Sequence, residues 1–571
     1  EAVMQWIEIE KGNCSDCYKC LRSCPSKAIK IIDGRAEVVK EMCIVCGHCQ
    51  VVCPQHIIKV KSRLRNVQAA IDDDFQVIAS IAPSFVGAFD MKYPGQFKTA
   101  LKKLGFSDVS ETGIGAEYVK QEYIDALKTQ KYKNFITSSC PSANYLIQKY
   151  YPKCIDFLAP TVSPMLAHGK LMKKNSPNAF TVFIGPCIAK KQEAFEYNTN
   201  EVINEVLTFD EIAMWLKESN IELNDLQEED FENPTDINGA SFPVKGGIFS
   251  NLKSISDIYG YQYMQADGVE ACINVLEALS NHELEGVCVE LNMCEGSCIG
   301  GPAMPSNHPN CYVIEKRVRD FAKNKPISSE PVSSVSIESD ELNRDFSEKP
   351  IFMPEPTEEE IVEILHSMGK FKDSDQLNCN TCGYKTCRDK AKAVYCNMSE
   401  ITMCLPFVRK KAESIRNTIF EYTPNAILFL DPDMNIIEIN PKAEEILGVH
   451  FEDVEGQNIE ALVGRDILFD IRLDKSAVIH KKLCIDSKDI CIIFEMSYIK
   501  EENVYMVIMS DITQEEKNIK ALNAMKERTL DAAQEVIDKQ MRVAQEIASL
   551  LGETTAETKI ILTRLKKIAM D

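Results

Sequence analysis

The cysteines constrain this chain more than any other feature of its sequence. There are 23 of them among 571 residues, and eight lie between Cys14 and Cys53 while five lie between Cys379 and Cys404. Dense cysteines form disulfide frameworks mainly in short secreted domains. This chain is long, and its first residues have no basic head followed by an apolar block, so we expect no signal peptide. The pattern predicts a reduced, cytoplasmic protein that binds metal through cysteine.

The charge and hydropathy of the chain disfavour two classes of partner. Acidic residues outnumber basic ones by 86 to 64, which gives a net charge of −22. A nucleic-acid-binding protein needs a basic surface instead. No stretch approaches the roughly 20 apolar residues that a membrane span needs. We therefore expect no nucleic-acid partner and no membrane insertion.

The first cysteine group repeats one motif. Residues 14–25 and 43–54 each read C-x2-C-x2-C-x3-C-P. Iron–sulfur clusters prefer thiolates, and three cysteines on one loop wrap one face of a cube while the fourth ligand comes from the other run. The block resembles bacterial two-cluster ferredoxins, which pass single electrons; zinc or unpaired thiols are the alternative. The predicted ligands are Cys14, Cys17, Cys20 and Cys53 for one 4Fe–4S cluster, and Cys24, Cys43, Cys46 and Cys49 for the other.

The central region alternates apolar runs with helical patterns, which is an α/β rhythm. The predicted buried strands cover residues 77–81, 134–137 and 181–184. Cysteines lie at strand ends or in glycine-rich loops, within TSSCP (137–141), PCIAKKQE (186–193) and ELNMCEGSC (290–298). Thiols placed in this way can bind one further cluster, and the ammonium group of Lys190 can donate hydrogen bonds to an anionic ligand. The four cysteines are Cys140, Cys187, Cys294 and Cys298.

In order and spacing, these peptides resemble the three signature motifs of the FeFe-hydrogenases. Ala82-Pro83-Ser84 resembles a fourth element, and the resemblance covers residues 78–310. It implies a two-lobed fold around an H-cluster, in which a 4Fe–4S cluster joins a diiron unit carrying CO, cyanide and an azadithiolate. It also implies that the four cysteines bind the 4Fe–4S part and that Cys298 bridges to the diiron unit. Lys190 would bind one cyanide, and Pro83 and Ser84 would line the other.

The departures from the family pattern concern proton transfer. The family usually has two adjacent cysteines in the first motif, and the thiol that hands protons to the bridging amine is here Ser139. A hydroxyl is a poorer proton donor than a thiol of pKa about 8.5. An acidic relay after Glu117 is not clear, because Glu122 is present but Tyr123 stands where a second acid is expected. The residues expected to bind the cofactor are therefore present, whereas the residue expected to transfer protons quickly is replaced. Other departures are Gly185, Asn292 and Ser297.

The second cysteine group predicts an accessory 4Fe–4S cluster. It reads C-x2-C-x4-C-x16-C and resembles a small iron–sulfur domain found beside redox complexes; zinc is the alternative. Its predicted ligands are Cys379, Cys382, Cys387 and Cys404. A capping box of Thr357 and Glu360 predicts a helix before it. Isolated cysteines are usually core residues, so no role is assigned to Cys154, Cys272, Cys288, Cys311, Cys484 and Cys491.

Residues 409–515 resemble a PAS domain, with five strand candidates around a short helix at 441–447. His450 and His480 are the candidates for a haem ligand, but a dimerising relay module is favoured. The tail is helical. A heptad of Leu530, Ile537, Ala544 and Leu551 predicts a coiled-coil seam, with an amphipathic helix lying on its own domain as the alternative. We expect Gly552 to interrupt this helix and Thr554 to start a second one.

These patterns predict a multidomain α/β and α+β protein. The predicted parts are a ferredoxin-like domain (1–65), an H-cluster domain (66–325), a linker or strap (326–352), a four-cysteine Fe–S domain (353–408), a PAS domain (409–515) and a helical or coiled-coil tail (516–571). The candidate catalytic residues are Ser139, Lys190 and Cys298.

The function that these parts favour is a sensory FeFe-hydrogenase of low turnover that acts on H2 and protons. Ferredoxin or a similar carrier would exchange electrons with it. A homodimer formed through the PAS domain and the terminal helices would signal to a separate protein in trans. The alternatives are a metabolic ferredoxin-linked hydrogenase and a non-catalytic iron–sulfur binding or assembly protein.

Overall fold

The computed structural model describes residues 5–10, 14–196, 202–232, 234–250, 257–326, 336–463, 479–485 and 490–568. The chain divides into two compact units, Glu1–Phe407 and Val408–Asp571. Each unit is described by itself below.

Two short antiparallel strand pairs frame the first cysteine group. β1 pairs with β4, and β2 pairs with β3. A short helix contains the third cysteine of each repeat, Cys20 in one and Cys49 in the other, so the two repeats have the same local structure. The elements are β1 (Ile7–Ile9), α1 (Lys19–Ser23), β2 (Ile29–Ile32), β3 (Arg35–Val38), α2 (His48–Val52) and β4 (Ile58–Val60).

Two four-stranded sheets form the central region. The first, in the order β6-β5-β8-β9, is wholly parallel. The second, in the order β10-β11-β12-β7, is parallel except for its β10 edge. The predicted strands at 77–81, 134–137 and 181–184 are found as β5, β7 and β8, with ends shifted in the last two. The strands are β5 (Val77–Ile81), β6 (Asp108–Glu111), β7 (Phe135–Ile136), β8 (Phe180–Gly185), β9 (Glu205–Thr208), β10 (Asp257–Ile258), β11 (Tyr261–Asp267) and β12 (Val287–Asn292).

Helices cover both sheets, and for this reason β5 and β12 are buried along their whole length. The helices are α3 (Leu64–Asp72), α4 (Phe85–Ala88), α5 (Gly95–Lys103), α6 (Gly113–Lys128), α7 (Pro141–Tyr150), α8 (Pro164–Asn175), α9 (Ala189–Glu196), α10 (Phe209–Glu218), α11 (Ile237–Ser241), α12 (Val269–Ser280) and α13 (Cys311–Lys323), with 3-10 turns at Pro152–Phe157, Leu223–Asp225 and Ser297–Gly300.

The described part of the predicted linker, residues 336–352, is a strap packed on the central region. Leu342 is buried, and its carbonyl accepts a hydrogen bond from the Val162 N–H at 2.8 Å. The Arg344 N–H donates to the carbonyl of Pro160 at 3.1 Å. The strap therefore completes the core of the central region. Residues 327–335 lie outside the described part of the chain.

The second cysteine group lies among short helices. The predicted capping box is confirmed, because Thr357 Oγ1 accepts from the Glu360 N–H and the Glu360 carboxylate accepts from the Thr357 N–H. The helices are α14 (Glu358–Ser367), α15 (Cys387–Tyr395) and α16 (Leu405–Tyr422), with 3-10 turns at Ser339–Leu342, Asp373–Asp375 and Ile401–Met403.

One hydrophobic core joins three parts of the first unit. It contains Leu21 and Ile29 of the ferredoxin-like region, Ile188 and Ala303 of the central region, and Tyr384 of the second cysteine group. Backbone hydrogen bonds also cross these boundaries. The Ile31 N–H, for example, donates to the carbonyl of Met398 at 3.0 Å. The cysteine-rich segments thus pack as one body with the central region.

The second unit has a five-stranded antiparallel sheet in the order β14-β13-β17-β16-β15. The five predicted strands and the helix at 441–447 are all present. Its elements are β13 (Ala426–Leu430), β14 (Ile436–Ile439), α17 (Pro441–Leu447), α18 (Phe451–Val454), α19 (Glu460–Val463), β15 (Ile479–Ile485), β16 (Ile490–Ile499), β17 (Val504–Asp511) and α20 (Thr513–Ile568). His450 and His480 are both on its surface.

The isolated cysteines divide into three kinds. Cys154, Cys272 and Cys288 are buried core residues, as predicted, and Cys311 is exposed. The prediction that Cys484 and Cys491 are spare residues is wrong. The β15–β16 register places them directly opposite each other, and they form a disulfide. A sequence separation of seven gives no hint of this pairing, because only the strand register places the two cysteines opposite each other.

The predicted break at Gly552 is also wrong, because α20 is one continuous helix through this position. A glycine inside a helix costs about 1 kcal/mol relative to alanine, which weakens a long helix without ending it. Among the described helices, none is long and apolar enough to cross a membrane.

Replacing Gly552 tests the continuity of α20. A Cβ at this position meets nothing within 4 Å, so Gly552→Ala should stabilise the helix by about 1 kcal/mol and slow local amide exchange about fivefold. Gly448→Ala is the control. Gly448 has φ +65°, so alanine there should destabilise the unit. Fast exchange at position 552 in both the wild type and the alanine variant would contradict a continuous helix.

Candidate functional site

The cysteines of the central region follow the carboxyl ends of parallel strands. Cys140 follows β7 and Cys294 follows β12, which are neighbours in one sheet. Cys187 follows β8 in the other sheet. Clefts at the carboxyl ends of parallel strands are common ligand sites in α/β folds. The two sheets therefore present their cysteines from opposite sides of one site.

The four thiols lie close enough to affect one another. Cys298 is exposed as a residue, but desolvation of its thiol, followed by neighbouring Cys140 and Cys187, raises the pKa of that thiol. Burial and Cys140 raise the pKa of Cys187 to about 11 although Lys190 opposes the shift. The pKa of Cys294 is raised by burial and by the other three. A cation bound among these thiols would compensate their charge and favour the thiolate forms.

Glycine allows the third motif to pack on the second. A Cβ at Gly301 would lie 2.5 Å from the carbonyl oxygen of Pro186, and one at Gly300 would lie 1.9 Å from the carbonyl oxygen of Glu295. The Ala303 N–H also donates to the Pro186 carbonyl at 3.1 Å. The two cysteine-bearing loops are thus held against each other by their backbones.

Lys190 is part of a buried ionic network. Its Nζ lies 2.7 Å from Glu193 Oε2 and donates to the Ser139 carbonyl at 3.3 Å. Glu193 is fully buried and also pairs with Arg344 of the strap. Burial opposes ionisation of Glu193, but Lys190 and Arg344 outweigh it, and the pKa of the carboxyl is lowered. The network fixes the ammonium group of Lys190 beside Ser139.

Pro83 and Ser84 come directly after β5, which is the neighbour of β8. Both residues are buried. Within the described part of the chain, Ser84 Oγ is a buried hydroxyl with no hydrogen-bond partner. Buried polar groups usually have partners, so this hydroxyl suits a site that receives a polar ligand.

The acids considered for a proton relay have partners in the fold. Glu117 is buried and accepts from Thr235 Oγ1 at 2.8 Å, and Glu122 accepts from Ser339 Oγ of the strap at 2.7 Å. The Tyr123 hydroxyl is buried and accepts from the Ser138 N–H at 3.0 Å.

The ferredoxin-like cysteines meet across the two repeats. Burial, followed by Cys14, Cys17 and Cys53, raises the pKa of Cys20 to about 11. Cys14, Cys17, Cys20 and Cys53 also line one small pocket. The pKa of Cys49 is raised by burial and then by Cys46, Cys24 and Cys43. The structure therefore brings together the two crossed sets that the spacing predicts.

The second cysteine group also surrounds one cavity. One small pocket is lined by all four predicted ligands: Cys379, Cys382, Cys387 and Cys404. Lys390 lies beside it, and burial lowers its pKa to about 8. No group of three His, Cys, Asp or Glu side chains within the described ranges converges as a site for a single metal ion.

The segments that carry the three cysteine sites pack directly against one another. A Cβ at Gly383, beside Cys382, would lie 2.9 Å from Leu21 of α1, and a Cβ at Gly47 would lie 2.6 Å from both Ile188 and Pro302. Cys46 also contributes to the raised pKa of Cys294. The ferredoxin-like region thus lies between the second cysteine group and the central site.

Sequence reasoning missed two groups. Arg344 belongs to no sequence motif. Only the fold brings it to Glu193, which is 151 residues away along the chain. Glu290 belongs to the third motif, but the sequence gives no role for its side chain. Its carboxylate accepts from the Tyr263 hydroxyl at 2.7 Å and from the Gly246 N–H at 3.1 Å. Burial raises the pKa of Glu290 to about 7.

The comparisons with known proteins match the regions of the chain in which these cysteines lie. Residues 75–302 match the family model of the iron only hydrogenase large subunit, C-terminal domain. Residues 6–54 match a 4Fe-4S dicluster domain, 375–406 an Fe-S cluster domain and 424–523 a PAS domain. The chain is thus an FeFe-hydrogenase-like protein with iron–sulfur and PAS domains. The predicted mixed α/β architecture, with a ferredoxin-like domain, a hydrogenase catalytic domain, a PAS domain and C-terminal helices, is confirmed.

Individual relatives are distant. The NADP-reducing hydrogenase subunit HndD of Solidesulfovibrio fructosivorans is 26% identical over 341 residues, which cover 49% of this chain and 58% of that protein. Iron hydrogenase 1 of Clostridium pasteurianum is 25% identical over 383 residues, covering 54% and 66%. A solved FeFe-hydrogenase HydA1 from Chlamydomonas reinhardtii is 17% identical with a TM-score of 0.42, covering 51% of this chain and all of that one. The chain thus spans less than two thirds of the curated relatives it matches.

The raised pKa of Glu290 predicts a pH-dependent stability. Because the folded state holds this proton up to about pH 7 and the unfolded state releases it near pH 4.5, the free energy of unfolding should fall as pH rises between these values, by about 3 kcal/mol. Glu290→Gln should remove this fall. Denaturation of both proteins at about pH 5 and about pH 8 measures it.

Glu270→Gln is the control for this prediction, since Glu270 is exposed on α12 and should leave the pH dependence unchanged. An equal stability difference between wild type and Glu290→Gln at both pH values would show that Glu290 does not hold a proton in the folded protein.

Proposed function

We propose that this protein is a sensory FeFe-hydrogenase that converts H2 and protons slowly and signals to a separate protein. The single observation that carries the proposal is a group of four cysteines and a lysine beside a serine. The four central cysteines and Lys190 lie together, and Ser139 stands where the family has its proton-donating thiol. The PAS domain and the long helix supply the signalling part.

The residues fit an H-cluster. Cys140, Cys187, Cys294 and Cys298 would bind its 4Fe–4S part, and Cys298 would bridge to the diiron unit. Lys190, held by Glu193, would donate to one cyanide, and the unpartnered Ser84 hydroxyl and Pro83 would line the other. When bound, the H-cluster supplies reversible cleavage of H2 into protons and electrons.

The chain's own contribution to the rate is proton handling, and there the site is weak. Ser139 is 9% exposed and lies beside Lys190. Its hydroxyl holds its proton far more tightly than a thiol does. A proton donor whose pKa is far from the working pH is inefficient. We therefore infer a low turnover, which suits a sensor better than a metabolic enzyme.

Electrons would travel along the contacting cysteine sites. The accessory 4Fe–4S cluster would lie at one end, the two ferredoxin-type clusters in the middle and the H-cluster at the other end. The packing of Gly383 on Leu21 and of Gly47 on Ile188 supports this order. Ferredoxin or a similar carrier would exchange electrons with this series in the cytoplasm.

The second unit would pass the signal on. Apolar side chains of the heptad on α20 are exposed, at 70% for Leu530, 53% for Ile537 and 63% for Leu551. They are not covered by their own domain, so a second copy of the helix would bury them in a coiled-coil seam. We propose a homodimer through α20 and an output protein in trans.

Infrared spectroscopy of matured protein is the first test. Under anaerobic conditions we expect CO and cyanide bands that shift between argon and H2, because the site would hold a redox-responsive diiron unit. Cys298→Ser should lose these bands, since it removes the bridging thiolate, while Cys311→Ser, at an exposed cysteine of α13, should keep them. Absence of the bands after maturation of the wild type would favour a non-catalytic iron–sulfur protein.

Replacing the hydroxyl by a thiol tests the proposed low turnover. Ser139→Cys should raise H2 turnover about a hundredfold or more, the range that a well-matched proton donor contributes. Ser138→Cys is the control, because the Ser138 hydroxyl donates to the Thr161 carbonyl and is not at the family's donor position. An unchanged rate in Ser139→Cys with intact infrared bands would mean that protons take another route.

A further inference from the structure

A disulfide joins the edge strand of the second unit's sheet to its neighbour. Cys484 of β15 and Cys491 of β16 face each other across the antiparallel ladder and are bonded. β15 lies at the edge of the sheet, and β16 is the strand that pairs with it among those described. Cys484 is exposed and Cys491 is half-buried, so a thiol can reach the bond from solvent.

The strand β16 holds the start of α20. The Cys491 N–H donates to Thr513 Oγ1 at 2.9 Å, and the Cys491 carbonyl accepts from the Ile512 N–H at 2.9 Å. Thr513 is the first residue of the helix. The backbone of one disulfide partner is therefore bonded directly to the residues at which α20 begins.

The strand β15 also contacts the first turn of α20, through an ion pair. Lys482, two residues before Cys484, forms an ion pair with Glu516 in the first turn of α20. The disulfide thus ties together two strands that each contact the base of the helix. An edge strand is hydrogen-bonded to a neighbour on one side only, so it opens more readily than a central strand. The disulfide should therefore limit local opening at the base of α20.

We propose that Cys484–Cys491 is a redox-active disulfide, and that its reduction by a dithiol loosens the base of α20. This site lies wholly within the second unit and goes beyond the proposed hydrogenase function. It gives the signalling helix a second input, the thiol redox state of the surroundings, that does not pass through the iron–sulfur sites.

The reaction is an ordinary thiol–disulfide exchange. A thiolate of the dithiol attacks the exposed sulfur of Cys484, the bond between the two cysteines breaks, and Cys491 leaves as a thiolate that takes up a proton. The second thiol of the reductant then closes on the mixed disulfide and releases Cys484. Two electrons and two protons pass to the protein, and the dithiol becomes a disulfide.

The test uses the full chain under anaerobic conditions, before and after treatment with dithiothreitol. Alkylation followed by mass spectrometry reads the state of Cys484 and Cys491, and hydrogen exchange reads the amides of Ile512 and Glu516. We expect both cysteines to resist alkylation before reduction and to be labelled after it. Exchange at the base of α20 should rise about tenfold or more on reduction, because local opening becomes easier.

Two variants separate the disulfide from other effects of the reductant. Cys484→Ser should exchange rapidly with or without dithiothreitol, whereas Cys311→Ser, which changes an exposed cysteine of the first unit, should respond as the wild type does. Labelling of both cysteines in the untreated protein, or unchanged exchange after verified reduction, would overturn the proposal. Loss of hydrogenase activity would not affect either readout.

Discussion

The buried carboxylate of Glu193 is the charge on which the central site depends. A fully buried carboxylate is costly unless opposite charges and hydrogen bonds compensate it. Lys190 and Arg344 supply the charges, and Ser163 Oγ adds a hydrogen bond at 2.8 Å. These partners come from the same helix, from the strap and from the segment before α8. One carboxylate therefore ties Lys190 to two distant parts of the chain.

This network explains why the strap is ordered where its sequence reads as a linker. Residues 336–352 are rich in polar residues, which usually indicates a flexible connection. Three of them, Ile337, Leu342 and Arg344, are nevertheless buried. Leu342 completes the apolar core, and Arg344 neutralises a charge inside it. A polar segment is thus held in place by a few well-placed contacts.

The features predicted best from the sequence are those that depend on residues close together along the chain. Cysteine spacing predicted three ligands of each ferredoxin set because they lie a few residues apart, and the repeat of the motif predicted the fourth ligand from the other run. The capping box at Thr357 predicted its helix for a similar local reason. Arg344 could not be predicted, since nothing near it in sequence announces a partner 151 residues away. The pairing of Cys484 with Cys491 depends on strand register. Gly552 misled because local helix propensity was given more weight than the length of the helix around it.

The shared core of the first unit bears on how such proteins are assembled from parts. Ile188 and Ala303 of the hydrogenase domain and Tyr384 of the second cysteine group are packed in the same core as Leu21 of the ferredoxin-like region. Cutting the chain between these regions would open that core to water on both sides. The two cysteine-rich regions therefore cannot be exchanged as independent modules. An engineer who wished to replace the ferredoxin-like region would have to redesign the facing surface of the central region as well.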